Sequence, residues 1–96
     1  MADKQTESGS PVVDLERLGE RVMSSLAKLV KCQTEGVTGF RRHDDGWVLT
    51  VAVLEVERVP ETTDVLASYD VETDRDGTIV SFDRRRRYLR AETEGA

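Results

Sequence analysis

Apolar residues recur at spacings of three and four at the start of the chain, then at a spacing of two. Val12, Leu15, Leu18, Val22, Leu26, Leu29 and Val30 form one stripe, with Glu16, Arg17, Glu20, Arg21, Lys28 and Lys31 mainly outside it. This predicts an amphipathic helix over residues 11–33. Ser10, followed by Pro11, and Asp14 are competing N-caps, the lysines near the far end suit the helix dipole, and Gly36 is the expected stop. Beyond Gly36 four strands are predicted: Val37–His43, Trp47–Val59, Asp64–Thr73 and Thr78–Arg90. Asp44-Asp45-Gly46 and Asp74-Arg75-Asp76-Gly77 are the turns, with Gly46 expected to supply a positive φ. Pro60 ends the second strand because it has no N–H to donate.

Pairing Thr73 with Thr78 would set Val71 opposite Val80 and Tyr69 opposite Phe82 on one face, leaving Ile79, Ser81 and Asp83 on the other. The expected fold is α+β: one N-terminal amphipathic helix packed on a four-stranded antiparallel meander, a two-layer, cystatin-like arrangement. The second strand carries apolar residues on both sides: Trp47, Leu49, Val51 and Val53 on one, Val48, Ala52, Leu54 and Val56 on the other. One helix covers one face, so the second needs sheet curvature, a partner or a second subunit, and a homodimer is one way to supply it.

Length and charge narrow the function classes. The chain has 96 residues, 38% apolar and 34% charged, enough for one domain with a modest core. Residues 1–10 and 91–96 are polar and expected as disordered tails around a single domain over 11–90. No apolar run approaches the roughly 20 residues of a spanning helix, Met1–Ser10 lacks the apolar core of a secretory signal, and a single cysteine fits a reducing cytoplasm. The net charge of −5 disfavours general nucleic-acid binding.

Candidate chemistry is sparse. His43 abuts a turn and Cys32 ends a helix, with no motif to join them as base and nucleophile, so no catalytic residue and no enzyme is expected. The stretch Glu72–Asp83 imitates a calcium loop, with acids at positions one, three, five and twelve and Gly77 at six. Its first and last ligands are the wrong acids and its flanks read as strands, so an acidic hairpin turn explains it. Neither metal nor cofactor is expected.

The most polarised feature is Arg84-Arg85-Arg86-Arg87-Tyr88-Leu89-Arg90, which follows a stretch with nine basic and seventeen acidic residues. In a strand these arginines alternate between faces. They suit pairing with Asp64, Asp70, Glu55 and Glu57 within the domain, an acidic protein partner, or a phosphate backbone with Tyr88 stacked on a base. Glu55 and Arg58 form a buried ion pair or an interface rim. The candidate partner-binding residues are therefore Glu55, Arg58, Arg84, Arg85, Arg86, Arg87, Tyr88 and Arg90.

An ordered set of motifs resembles a known family. Glu35-Gly36-Val37-Thr38-Gly39-Phe40, Asp45-Gly46-Trp47-Val48-Leu49-Thr50-Val51, the run Leu54 to Leu66 with Glu55-Val56-Glu57-Arg58-Val59-Pro60 and Thr63-Asp64-Val65-Leu66, Tyr69-Asp70-Val71, Asp76-Gly77 and Arg87-Tyr88-Leu89-Arg90 are similar to gas vesicle protein O. The resemblance implies a cytoplasmic, non-enzymatic accessory protein that helps build gas vesicles, free or vesicle-associated. Its partners would be other gas vesicle proteins, shell or accessory. The family offers no catalytic residues to carry over. The alternatives are a nucleic-acid-binding regulator using Arg84–Arg90 and a small cystatin-like ligand-binding module with a pocket between helix and sheet.

Overall fold

In the computed structural model, which describes residues 14–94, helix α1 spans Leu15–Val30. Ser10 and Pro11, and the tail expected over residues 1–10, lie outside the described residues. Asp14 is the cap: its backbone is extended and its carboxylate accepts from the Arg17 N–H at 3.2 Å. Leu18, Val22 and Leu26 are the buried part of the stripe. The helix stops before Gly36, at Lys31, which takes the left-handed conformation with φ 57°.

Strand β1 (Gln33–His43) consequently starts four residues earlier than expected, and Gly36 and Gly39 fall at its register shifts instead of ending the helix. His43 pairs with Gly46 of β2 (Gly46–Val56), so Asp44-Asp45 form the loop. The positive φ belongs to Asp44, at 53°, and not to Gly46. Gly46 is required for a different reason: a Cβ there would lie 1.8 Å from the Thr73 carbonyl oxygen on the next strand.

Strand β2 ends at Val56, short of the expected Val59, which is 99% exposed ahead of a cis Val59–Pro60 bond. A short 3-10 turn, Glu61–Thr63, leads into β3 (Val65–Thr73). The next turn is held by Asp74, whose Oδ1 accepts from the N–H groups of Asp76 (2.9 Å) and Thr78 (3.0 Å), and Gly77 has φ 89°. Strand β4 (Ile79–Leu89) runs into α2 (Arg90–Glu94), so residues 91–94 of the expected tail are helical.

The sheet order is β1-β2-β3-β4, every pair antiparallel, with α1 on one face: the α+β meander the pattern predicts. Leu18, Val22 and Leu26 pack on Leu49, Val51, Val53, Ala67 and Val71. The last hairpin departs from the expected register. Thr73 pairs with Ile79, a shift follows, and Val71 then faces Phe82 while Tyr69 faces Arg84. Pairing Thr73 with Ile79 exchanges two roles, since Ile79 packs against the core and Val80 is 60% exposed, and the shift that follows returns Phe82 to the side of Val71. Tyr69 and Phe82 remain neighbours diagonally, ring centroids 6.1 Å apart.

The second sheet face needs no helix. Val48, Ala52 and Leu66 are buried within the chain itself and Leu54 is half-buried, while the shift at Glu55 moves Val56 opposite Val65 and off this face. Register shifts occur in all three strand pairings, and bulges of this kind increase the local twist of a strand. Polar side chains complete the cover: on this face Thr50 Oγ1 donates to Asp70 (2.9 Å), Arg85 pairs with Asp70, and Ser81 donates to Glu72 (3.1 Å).

Candidate functional site

The arginine strand is sorted by a bulge. Arg84 pairs with Tyr69 and Arg86 with Ser68, which leaves Arg85 as the extra residue. Strict alternation would separate Arg84 from Arg87. The bulge instead puts both on the helix-bearing face, with Arg85, Arg86 and Tyr88 on the other.

On the helix-bearing face, the Glu55 carboxylate, 12% exposed, receives Arg84 Nη1 (3.2 Å) and Arg87 Nε (2.8 Å). Glu55 is the extra residue at the β2–β3 register shift, which turns it toward these arginines and not toward Arg58. Burial first, and the Glu55 carboxylate second, push the Tyr69 phenol above its ordinary range against the pull of Arg84. On the opposite face Arg86 lies over the Tyr88 ring, 4.7 Å from its centroid. Burial of Asp70 works against its ionisation, but the Arg85 and Thr50 hydrogen bonds outweigh it and hold the carboxyl below its usual range.

Arg90 joins the two edges of the sheet. Its guanidinium forks onto both Glu35 oxygens of β1 (3.0 and 3.2 Å), and its Nε donates to Asp64 Oδ2 at 3.1 Å. The Asp64 side chain is 4% exposed and accepts the Arg58 backbone N–H at 2.7 Å. The hydrogen bonds that Arg90 donates to Glu35 lead the causes that raise its pKa further. Of the acids expected to pair with the arginines, Asp64, Asp70 and Glu55 do so; Glu57 does not. Glu35 was missed, because nothing local connects it to a residue 55 positions away. Among the described residues, the guanidinium groups of Arg58 and Arg86 have no carboxylate partner.

The chemical candidates stay apart. Cys32 and His43 stand at opposite ends of β1, separated by roughly 35 Å of strand. The Cys32 thiol faces the Val30 carbonyl (3.5 Å), and His43 Nε2 lies 3.6 Å from carboxylate oxygens of Asp44 and Glu72. In the calcium-like stretch, Asp74 is engaged by turn N–H groups, and no three His, Cys, Asp or Glu residues converge among the described residues. The space between helix and sheet is filled by Leu18, Val22 and Leu26, with Tyr69 and Phe82 packed alongside. A groove of about 270 Å³ instead runs along the outer flank of α1 and is lined by Leu15, Glu16, Gly19, Glu20, Met23, Val37 and Phe40. No described helix is long and apolar enough to cross a membrane.

The family model described as gas vesicle synthesis protein GvpO matches residues 1–94. The chain belongs to this family. A gas vesicle protein O from Streptomyces sp. (strain CB03234) is 45% identical over 71 residues, which cover 74% of this chain and 56% of that protein. Gas vesicle protein O1 of Halobacterium salinarum is 29% identical over 72 residues, 75% of this chain and 60% of that protein. Gas vesicle protein O of Haloferax mediterranei is 24% identical over 94 residues, 95% of this chain and 67% of that protein. The chain thus spans between just over half and two thirds of the length of these relatives. No solved structure matches it.

Proposed function

We propose that this chain is a non-enzymatic accessory protein of gas vesicle biogenesis, acting in the cytoplasm by binding other gas vesicle proteins, shell or accessory. Membership of the gas vesicle synthesis family over residues 1–94 carries this reading. The arrangement of the arginine strand supports protein over nucleic acid as the partner. Arg84 and Arg87 share Glu55, Arg85 holds Asp70, and Arg90 holds Glu35 and Asp64, so a phosphate backbone would have to displace four internal acids. Within the Glu55, Arg58 and Arg84–Arg90 group, the cations of Arg58 and Arg86 are the ones left to an acidic partner.

The test is pairwise capture of each other gas vesicle protein of the source genome by the full chain. Arg58→Glu/Arg86→Glu should cut recovery of at least one partner about tenfold, because a rim charge becomes a repulsion. Capture of no gas vesicle protein, or a salt-dependent mobility shift of RNA or DNA at low ionic strength, would overturn the reading.

A further inference from the structure

We infer that the groove between α1 and β1 is a second docking surface, opposite in charge to the arginine strand. It takes a bulky apolar side chain flanked by lysine or arginine on a protein partner. The inference rests on the protein-binding function proposed above. Three features coincide in this groove, and each works against the stability or solubility of the isolated chain.

The first is exposed apolar surface. Leu15 and Phe40 are 42% and 37% exposed and both line the groove, one from each side. The second face of the sheet, by contrast, covers its own valine, alanine and leucine. The second feature is Gly19, buried within α1. Glycine inside a helix is less favourable than alanine. Nothing in the packing forbids a methyl there: an added Cβ would meet Phe40 Cζ at 3.5 Å and Val37 Cγ2 at 3.6 Å, ordinary contact distances. The glycine leaves open a floor that alanine would raise. Gly46 and Gly77 differ, since an added Cβ would lie 1.8 Å and 2.7 Å from its nearest neighbour.

The third feature is charge. Glu16 and Glu20 line the helix side of the groove at i, i+4, a spacing at which like charges repel. Glu16 gains from the helix N-terminus; Glu20, one turn on, does not. Neither has a hydrogen-bond or ion-pair partner among the described residues. An apolar floor with two unpartnered carboxylates at its rim is complementary to an apolar anchor between basic residues. The volume of about 270 Å³ suits one or two such side chains.

The full chain is co-expressed singly with each other gas vesicle protein of the source genome, as wild type, Phe40→Ser, Glu16→Lys/Glu20→Lys and Gly19→Ala. Melting curves check that each of the three variants folds. The expected result is one identified partner whose recovery falls at least tenfold with Phe40→Ser and with the double lysine variant. Exchanging that partner's flanking Lys or Arg for Glu restores capture by the double variant, and Gly19→Ala melts higher while capturing less. Capture of no partner by the wild type overturns both this inference and the function it rests on. Capture that survives Phe40→Ser or the double lysine variant leaves the function standing and overturns the groove. The groove is likewise overturned by sedimentation showing a wild-type dimer that Phe40→Ser dissolves, or by nuclear Overhauser contacts placing residues 1–13 of the same chain on Phe40.

Discussion

The two ends of the sheet are held by different forces. Where the β3–β4 turn meets α1 the contacts are mainly apolar: Leu18 closes on Gly77, and Trp47, Leu49, Val71, Ile79 and Phe82 gather beneath the helix, with one hydrogen bond from Arg21 Nη2 to Thr78 Oγ1 (3.3 Å). At the opposite end the ties are ionic: Glu55 with Arg84 and Arg87, and Arg90 with Asp64 and Glu35. Helix length and connectivity explain the division. The 16 residues of α1 span about 24 Å, while the 11-residue strands run about 36 Å. The helix also hands the chain to β1 through Lys31 and Cys32, away from β4. The far end of β4, where the short α2 begins, is therefore left without cover from α1, and long side chains with charged tips fill the place of a core there. Arginines that resemble a binding patch in the sequence are to a large extent the structural closure of that end.

The apolar end should give the largest effect. Leu49→Ala removes a fully buried side chain and is expected to cost about 2–5 kcal/mol, by chemical denaturation, with little dependence on salt. A loss below about 1 kcal/mol would mean that this end is not the main core. Arg90→Gln should be smaller and of a different kind. It strips Glu35 and the nearly buried Asp64 of their shared cation, so the melting temperature falls. The gap from wild type should narrow as salt rises, and Arg90→Lys should not restore it, because lysine cannot reproduce the fork onto Glu35. A salt-independent gap would erase the contrast between the two ends.

The smallest expected effect sharpens the comparison through pH. The Asp70 carboxyl is held below its usual range in the folded chain. Its stabilising contribution is therefore fully present above the unfolded value of about 3.9. The contribution is lost as pH falls through the lower folded value. The stability difference between wild type and Asp70→Asn, measured by urea titration at a series of pH values, should shrink on acidification below about pH 4. A difference that stays constant down to pH 2 would mean that the Arg85 and Thr50 bonds do not act through ionisation.

Much of this was legible in the chain. The switch from a helical to a two-residue period placed α1 and all four strands, because burial on one face imposes that period directly. Pairing with Asp64, Asp70, Glu55 and Glu57 is one of three roles the basic strand allows, and all of these acids but Glu57 take it up. The bulges were not legible. The turn pairs Thr73 with Ile79 instead of Thr78, which exchanges Ile79 with Val80; the shift after Thr73 moves the β3–β4 register by one more residue, and the extra residue at Arg85 puts Arg84 and Arg87 on one face. A bulge depends on which backbone groups find partners across the sheet, and no local spacing encodes that. Gly46 shows the same limit: its neighbours suggested a turn conformation, while the demand comes from the Thr73 carbonyl on another strand.

By itself, then, the sequence determined the order and type of the elements, the α+β class and the family, because periodicity and motif order are properties of one strand or one helix at a time. Tertiary structure decided which acids the arginines hold, that Glu35 reaches Arg90 across the whole sheet, that the second face covers itself, and that an apolar groove with an acidic rim opens beside α1. Each of these depends on side chains far apart in the chain meeting in space, where distance and burial, and not spacing along the backbone, set the energy.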